Sequence, residues 1–308
     1  MRRAGVSLLL VAATVAIYAR VVTFDFINFD DPGYVRDNAQ VLNGLTPGGV
    51  AWAFTTTREA NWHPLTWLSL QFDVEFFGAS PGVFHTTNLV LHVACVLLLF
   101  FLFARMTGAL WRSALVAALF AVHPLHVESV AWISERKDVL STALGLLACH
   151  FWLDALNRPG FARRALAVAA YAASLLAKPM LVSLPILLLL FDVWPLGRKD
   201  PWRRLVLEKV PLFALALASS VATSLAQSHG GVMRTLTQYP LDARLENAAV
   251  SYVLYLWKAI WPTGLSIFYP YPYGGVPTLA VAGAVLTLAI VTAVCVARRL
   301  RAPYLLVG

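Results

Sequence analysis

The sequence predicts an all-α fold, a polytopic bundle of transmembrane helices. Three observations carry this. Of the 308 residues, 59% are hydrophobic and only 13% are charged, against about 25% charged in soluble domains. Apolar runs of about 20 residues, the length that crosses a bilayer, recur along the whole chain. Basic residues collect in every second connection between these runs, as the positive-inside rule requires.

Spans are expected near 4–24, 86–104, 112–126, 139–156, 164–177, 179–197, 205–226 and 277–297, about eight in one membrane domain, 1–308. Arg2 and Arg3 precede a run too long for the apolar part of a cleaved signal. It reads as an uncleaved signal-anchor and first span. With the N-terminus in the cytoplasm, the inner segments carry fifteen cationic and four acidic residues; nine and twelve remain outside. The net charge of +8 is therefore a topology signal and not a nucleic-acid surface. Cys95, Cys149 and Cys295 lie inside apolar runs, as small core residues do.

The first connection, 25–84, is the one large loop, and this topology places it outside. Thr46-Pro47 is a helix-start signal. Leu65, Leu68, Phe72 and Phe76 share one helical face, with Trp62 and Trp67 beside them. Such a helix lies on the membrane surface or packs on the membrane domain. The segment 228–276 must cross an even number of times. Its apolar part, 248–261, contains Lys258 and is short for a span, which suits an interfacial or re-entrant helix.

Four polar clusters fall on the outer side. They are Asn28 to Gly33, with Asp30 and Asp31; Asn61 to Leu65, with His63; His123 to Asp138; and Lys178-Pro179. Adjacent carboxylates raise one another's pKa, which suits a general base, although Asp-Pro-Gly is equally an ordinary turn. Arg136, Lys137 and Lys178 suit a phosphate, although single cations also snorkel at interfaces. His123, His126 and Glu128 could hold a divalent metal, but their spacing matches no strong zinc motif, and no cofactor is indicated. His85 and His92 read as structural histidines. Asp154 and Asp192 fall near inner ends of spans.

The segments NFDDPGYVRDNAQV, NWHPLTWLSLQFD, HPLHVESVAWISERKDVLS and AKPMLVSLPILLLLFDVWPLG, in this order, resemble the membrane half of the transmembrane-and-tetratricopeptide-repeat family. That family belongs to the GT-C glycosyltransferases, and its animal members are O-mannosyltransferases using dolichyl-phosphate mannose. The resemblance covers residues 1 to about 300 and implies a bacterial member without the repeats. The run from Ala302 is cut short at Gly308, where the family continues with more helices, so the chain reads as C-terminally truncated. Animal members carry an arginine where His63 stands.

The resemblance implies a catalytic acidic pair, chiefly Asp31 with Asp30 beside it. It assigns substrate binding to the second outer loop, with Glu128, Arg136 and Asp138, and lipid-phosphate binding to Arg136, Lys137 or Lys178. His63, His123 and His126 are further substrate-binding candidates. The expected activity is transfer of a hexose, mannose first, from a polyprenyl-phosphate donor to a protein hydroxyl, with inversion. The expected location is the plasma (inner) membrane, with the site extracytoplasmic. The partners are the lipid-linked donor, a protein acceptor and membrane lipid. Two rival readings are a transporter or flippase of lipid-linked sugars, which needs a polar path, and a non-catalytic membrane scaffold.

Overall fold

The computed structural model describes residues 2–272 and 274–307. No strand occurs among them. The fold is all-α and that of a polytopic membrane protein, as the composition demands. Five helices are long and apolar enough to cross a bilayer: Arg2–Thr23, Pro81–Thr107, Ile133–Asn157, Val210–His229 and Thr278–Arg298. A sixth is a bent pair, Leu110–Val122 and Pro124–Ala131, with an angle of 53° at the break. Pro124 explains it, because proline cannot continue the preceding ladder of hydrogen bonds.

Two further expected spans form shorter helices, Phe161–Ala177 and Pro179–Val193. Pro179 separates them and leaves Lys178 extended (φ −156°, ψ 132°). The span expected from 205 begins instead at Val210, because Glu208 and Lys209 enter an ion-pair cluster and Pro211 opens a new helix. By its contacts the chain divides into two compact units, 1–230 and 231–308. The second contains Leu241–Ile260 and Thr278–Arg298. The apolar stretch around Lys258 thus belongs to a 20-residue helix with four charged residues. Lys258 Nζ donates to the Gly264 carbonyl at 2.9 Å and lies 4.8 Å from the Tyr269 ring centre.

In the first unit, small residues let helices approach closely. Ala104, Ala117 and Ala121 pack with Val6, Leu10, Val96 and Phe100. Ile133–Asn157 and Phe161–Ala177 are pinned by serines. Ser174 Oγ donates to the Ser141 carbonyl at 2.8 Å, and Ser141 Oγ to the Lys178 carbonyl at 3.1 Å. A side chain at Gly145 would strike Leu181. Outward faces carry bare apolar side chains such as Leu8, Val90, Leu115 and Leu217, as lipid contact requires.

The loop 25–84 is itself folded. Thr46 caps the Pro47–Thr55 helix, its Oγ1 accepting from Gly49 N at 3.0 Å. The Pro64–Phe77 helix follows, and Gly78 ends it at φ +87°, a conformation that favours glycine. Tyr34, Val35, Val41, Ala53, Trp67 and Leu70 make a core within the loop, closed by Phe84 and Ile133 from the membrane helices. The loop therefore caps the end of the bundle where those helices begin.

At the other end of this unit, a second polar layer ties the helices. Arg105 holds Asp154 and sits 2.9 Å from His150 Nδ1. Lys209 and Asp192 form an ion pair with both side chains at 0% exposure. Arg198 also reaches Asp192 at 3.3 Å. Removing one partner of such a pair strands the other charge, at a cost of about 3–5 kcal/mol. Asp192→Asn should therefore lower the thermal unfolding midpoint in detergent strongly. The double change Asp192→Asn, Lys209→Met should recover most of the loss. Equal destabilisation in both variants would show that the pairing is not what matters.

Candidate active site

The capped end gathers residues far apart in sequence. Asp31 sits at the start of the turn Pro32–Arg36 and is fully buried. Its carboxylate accepts Ile27 N at 2.8 Å and Ser134 N at 3.0 Å, so it clips the first loop to the segment 123–138. Trp132 and Ser134 side chains face the same carboxylate, yet neither completes a hydrogen bond of standard geometry. Burial raises the Asp31 pKa above the usual carboxylate value, and the two backbone N–H groups partly offset this. Asp30 beside it is half-buried.

Lys137, Glu135, Lys178 and Asp138 form an alternating chain of charge. Lys137 Nζ is 2.9 Å from Glu135 Oε1, Lys178 Nζ is 3.2 Å from Glu135 Oε2, and Lys178 also binds Asp138. Ser129 Oγ donates to Asp138 at 3.0 Å. Lys178 is the most open of the three expected cations, its side chain 30% exposed. Its position follows from the break at Pro179, which turns it out of the helical path. Two side chains cap the backbone carbonyls freed there: Thr66 Oγ1 donates to the Ala177 carbonyl at 2.8 Å, and Ser141 to that of Lys178.

Arg136 has a different task. It is wholly buried and donates to Asp73 at 2.7 Å, Ser69 at 2.7 Å, the Phe84 carbonyl at 2.9 Å and Asn88. These bonds occupy the planar fork, which leaves Lys137 and Lys178 as the cations facing the cluster.

Tyr34 links both groups. Its ring stacks on His63 at 5.5 Å and Trp67 at 4.9 Å, and Lys137 Nζ lies 4.5 Å from its centre. Burial raises the Tyr34 pKa, and the negative charges of Glu135, Asp30 and Glu59 raise it further. His63 is 2% exposed, and its Nε2 has no hydrogen-bond partner among the described residues. Burial, aided by Lys137 and Lys178, pushes its pKa down to about 3, so the imidazole is neutral.

Of the expected site residues, Asp30, Asp31, His63, Lys137, Asp138 and Lys178 meet at this end, with Arg136 as their internal brace. Glu128 is exposed and within electrostatic reach of Glu135 and Asp138. His123 and His126 stand apart from the charged chain. His126 packs 4.3 Å from Phe120 and 5.9 Å from His92. His92 Nε2 lies 3.1 Å from the Ala121 carbonyl, a structural contact. Tyr34, Glu59, Asp73, Asn88 and Glu135 were not expected as site residues. Glu59 and Ala60 have φ of +58° and +53°, left-handed values rare for residues with a side chain. The Glu59 carboxylate packs against Gly33, where a Cβ would lie 2.3 Å from Glu59 Oε1 and displace that side chain. No group of three or more His, Cys, Asp or Glu able to hold a metal occurs among the described residues.

An apolar groove of about 880 Å³ runs along the Pro64–Phe77 and Pro81–Thr107 helices. Leu65, Leu68, Phe72 and Val90 line it, and its polar wall is Ser69 and Asp73, both bound to Arg136.

Fold and site together define an all-α polytopic membrane protein whose folded first loop brings acidic and basic residues to one end of the bundle. About half of the chain is similar to proteins named protein O-mannosyl-transferases. Mouse TMTC1 is 34% identical over 157 residues, 47% of this chain and 16% of the relative. Human TMTC4 is 32% identical over 163 residues, 45% of this chain and 22% of the relative. Fruit-fly Tmtc2 is 27% identical over 189 residues, 54% and 20%. The chain thus spans well under a third of the length of the curated relatives it matches. No family model matches the chain, and no solved structure does.

The neutral, enclosed His63 makes folding pH-dependent. The unfolded chain takes up a proton here near pH 6.5, which the folded chain refuses until about pH 3. Stability from this residue is present above the unfolded value and is lost as pH falls. The unfolding midpoint should drop between about pH 7 and about pH 4, and drop less steeply in His63→Phe. Identical slopes would remove His63 from the account.

Proposed function

We propose that this chain is the membrane part of a GT-C type protein O-mannosyltransferase. It moves mannose from a polyprenyl-phosphate donor to a protein hydroxyl on the extracytoplasmic side. One observation carries the reading: the acidic pair at 30–31, the segment 123–138 and Lys178 converge at one end of the bundle, and Arg136 of that segment binds Ser69 and Asp73 in the wall of an apolar groove. A lipid-linked sugar needs that combination, because its tail is apolar and its linkage is a charged phosphate. The likeness to named O-mannosyl-transferases supports the sugar and the protein acceptor. The excess of basic residues in the alternate connections supports the sidedness.

In this mechanism the lipid tail lies in the groove and the phosphate meets Lys178 and Lys137. The acceptor oxygen attacks the anomeric carbon as its bond to the phosphate oxygen breaks. The acceptor proton passes to a carboxylate, and the phosphate leaves with the bonding electrons, stabilised by the lysines. The sugar inverts. The half-buried Asp30 is the member of the pair that meets a hydroxyl. Asp31, with its oxygens on backbone N–H groups, holds the loop in place.

The two carboxylates separate experimentally. Membranes containing the protein are incubated with radiolabelled polyprenyl-phosphate mannose and a threonine-containing peptide. Asp30→Asn should lower transfer about a hundredfold or more without moving the unfolding midpoint. Asp31→Asn should lower transfer and the midpoint together. Wild-type transfer by both variants would exclude the acidic pair from the reaction.

A further inference from the structure

At the end of the first unit away from the candidate site, a cavity of about 610 Å³ opens between two helices. Its charged walls are Arg164, near the start of Phe161–Ala177, and Arg203 and Arg204 from Trp202–Leu207. Lys178 lies at the far end of the Arg164 helix, about 20 Å away at 1.5 Å per residue. The cavity therefore lies toward the opposite membrane face, about two thirds of a 30 Å core from Lys178.

Charge at the cavity does not balance. Its one carboxylate, Glu208, is already held by Arg198 through two bonds of 2.8 and 3.2 Å. Arg164 reaches Glu208 only at 3.8 Å. Arg204 pairs with Asp200 at 2.8 Å and reaches Glu208 at 3.4 Å, yet its side chain is 64% exposed. Arg203 is exposed and pairs with no carboxylate among the described residues. Scattered arginines at a membrane surface need no ligand, since they report topology and snorkel. Here guanidinium groups from two separate helices face one hollow. Arg198, bonded to Glu208 of the cavity wall, is fixed in turn by the buried Asp192–Lys209 pair. Leu207 in the lining is more than half exposed, which suits acyl chains beside a headgroup.

We propose that this cavity binds the phosphodiester headgroup of an anionic membrane lipid, held by Arg164, Arg203 and Arg204. The phosphate oxygens accept from the guanidinium forks, and the acyl chains run past Leu207 along the helices. The site is separate from the glycosyl-transfer reading and stands without it.

The test uses the full chain in nanodiscs of equal phosphatidylglycerol and phosphatidylcholine, with retained lipid read by native mass spectrometry. Phosphatidylglycerol should be retained in preference. Arg203→Gln with Arg204→Gln should lower its retention about thirty-fold. Arg164→Gln should lower it too, whereas Arg163→Gln removes the same single charge one residue away, where the side chain turns back to the Arg158 carbonyl. Arg163→Gln should leave retention unchanged. Equal retention of both lipids, or equal loss in Arg163→Gln and Arg164→Gln, would overturn the proposal in favour of diffuse surface charge. Displacement of the lipid by excess inorganic phosphate, without selectivity between lipids, would overturn the lipid headgroup as occupant. Unfolding midpoints separate a lost site from a lost fold. If the double variant melts early, Arg164→Gln gives the same reading from the other helix.

Discussion

The buried guanidinium of Arg136 joins three parts of the protein that the chain presents separately. Asp73 and Ser69 come from the loop helix, Asn88 and the Phe84 carbonyl from the following span, and Arg136 itself from the span Ile133–Asn157. Burying this charge is costly, and the cost is met only because Asp73 and the other acceptors fill its donors. A lysine has the charge without the fork and cannot serve four acceptors in one plane. Everything at the capped end depends on this joint. Without it the loop helix loses its charged tie to the bundle and keeps only neutral ones, such as Thr66 on the Ala177 carbonyl and Thr87 on Asp73.

Two polar layers bracket the first unit. One ties Lys137 and Lys178 to Glu135 and Asp138; the other ties Lys209 and Arg198 to Asp192 and Glu208. They differ in how their charges are used. The inner pair Asp192–Lys209 is sealed, whereas Lys178 keeps part of its side chain open. Rigidity at one end and access at the other are what a site at a membrane boundary requires.

Much of this was readable from the amino acids. The apolar runs gave the helices, and Thr46-Pro47 gave a capped start that the structure confirms in its hydrogen bond. The face Leu65, Leu68, Phe72 became one wall of the groove. Span boundaries were less legible, because a proline inside an apolar run breaks a helix without lowering hydropathy, as at Pro124 and Pro179. The roles of charged neighbours were hidden too. Arg136 and Lys137 are adjacent, and only their opposite directions on the helix show that one braces and the other faces the cluster. Asn88 lies in an apolar span where nothing local marks it as a partner for Arg136, and the left-handed backbone at Glu59 has no glycine to announce it.

The capping loop joins partners far along the chain. Asp31 reaches Ser134, Tyr34 reaches Lys137, and Thr66 reaches the Ala177 carbonyl, pairs more than a hundred residues apart. During synthesis the loop leaves the ribosome long before these partners exist. Its own core of Tyr34, Val41, Trp67 and Leu70 can collapse early, but the acidic turn stays undocked until later spans have entered the bilayer. Assembly of the capped end is therefore a late step, and a nascent chain arrested before residue 134 holds a folded lid with nothing beneath it.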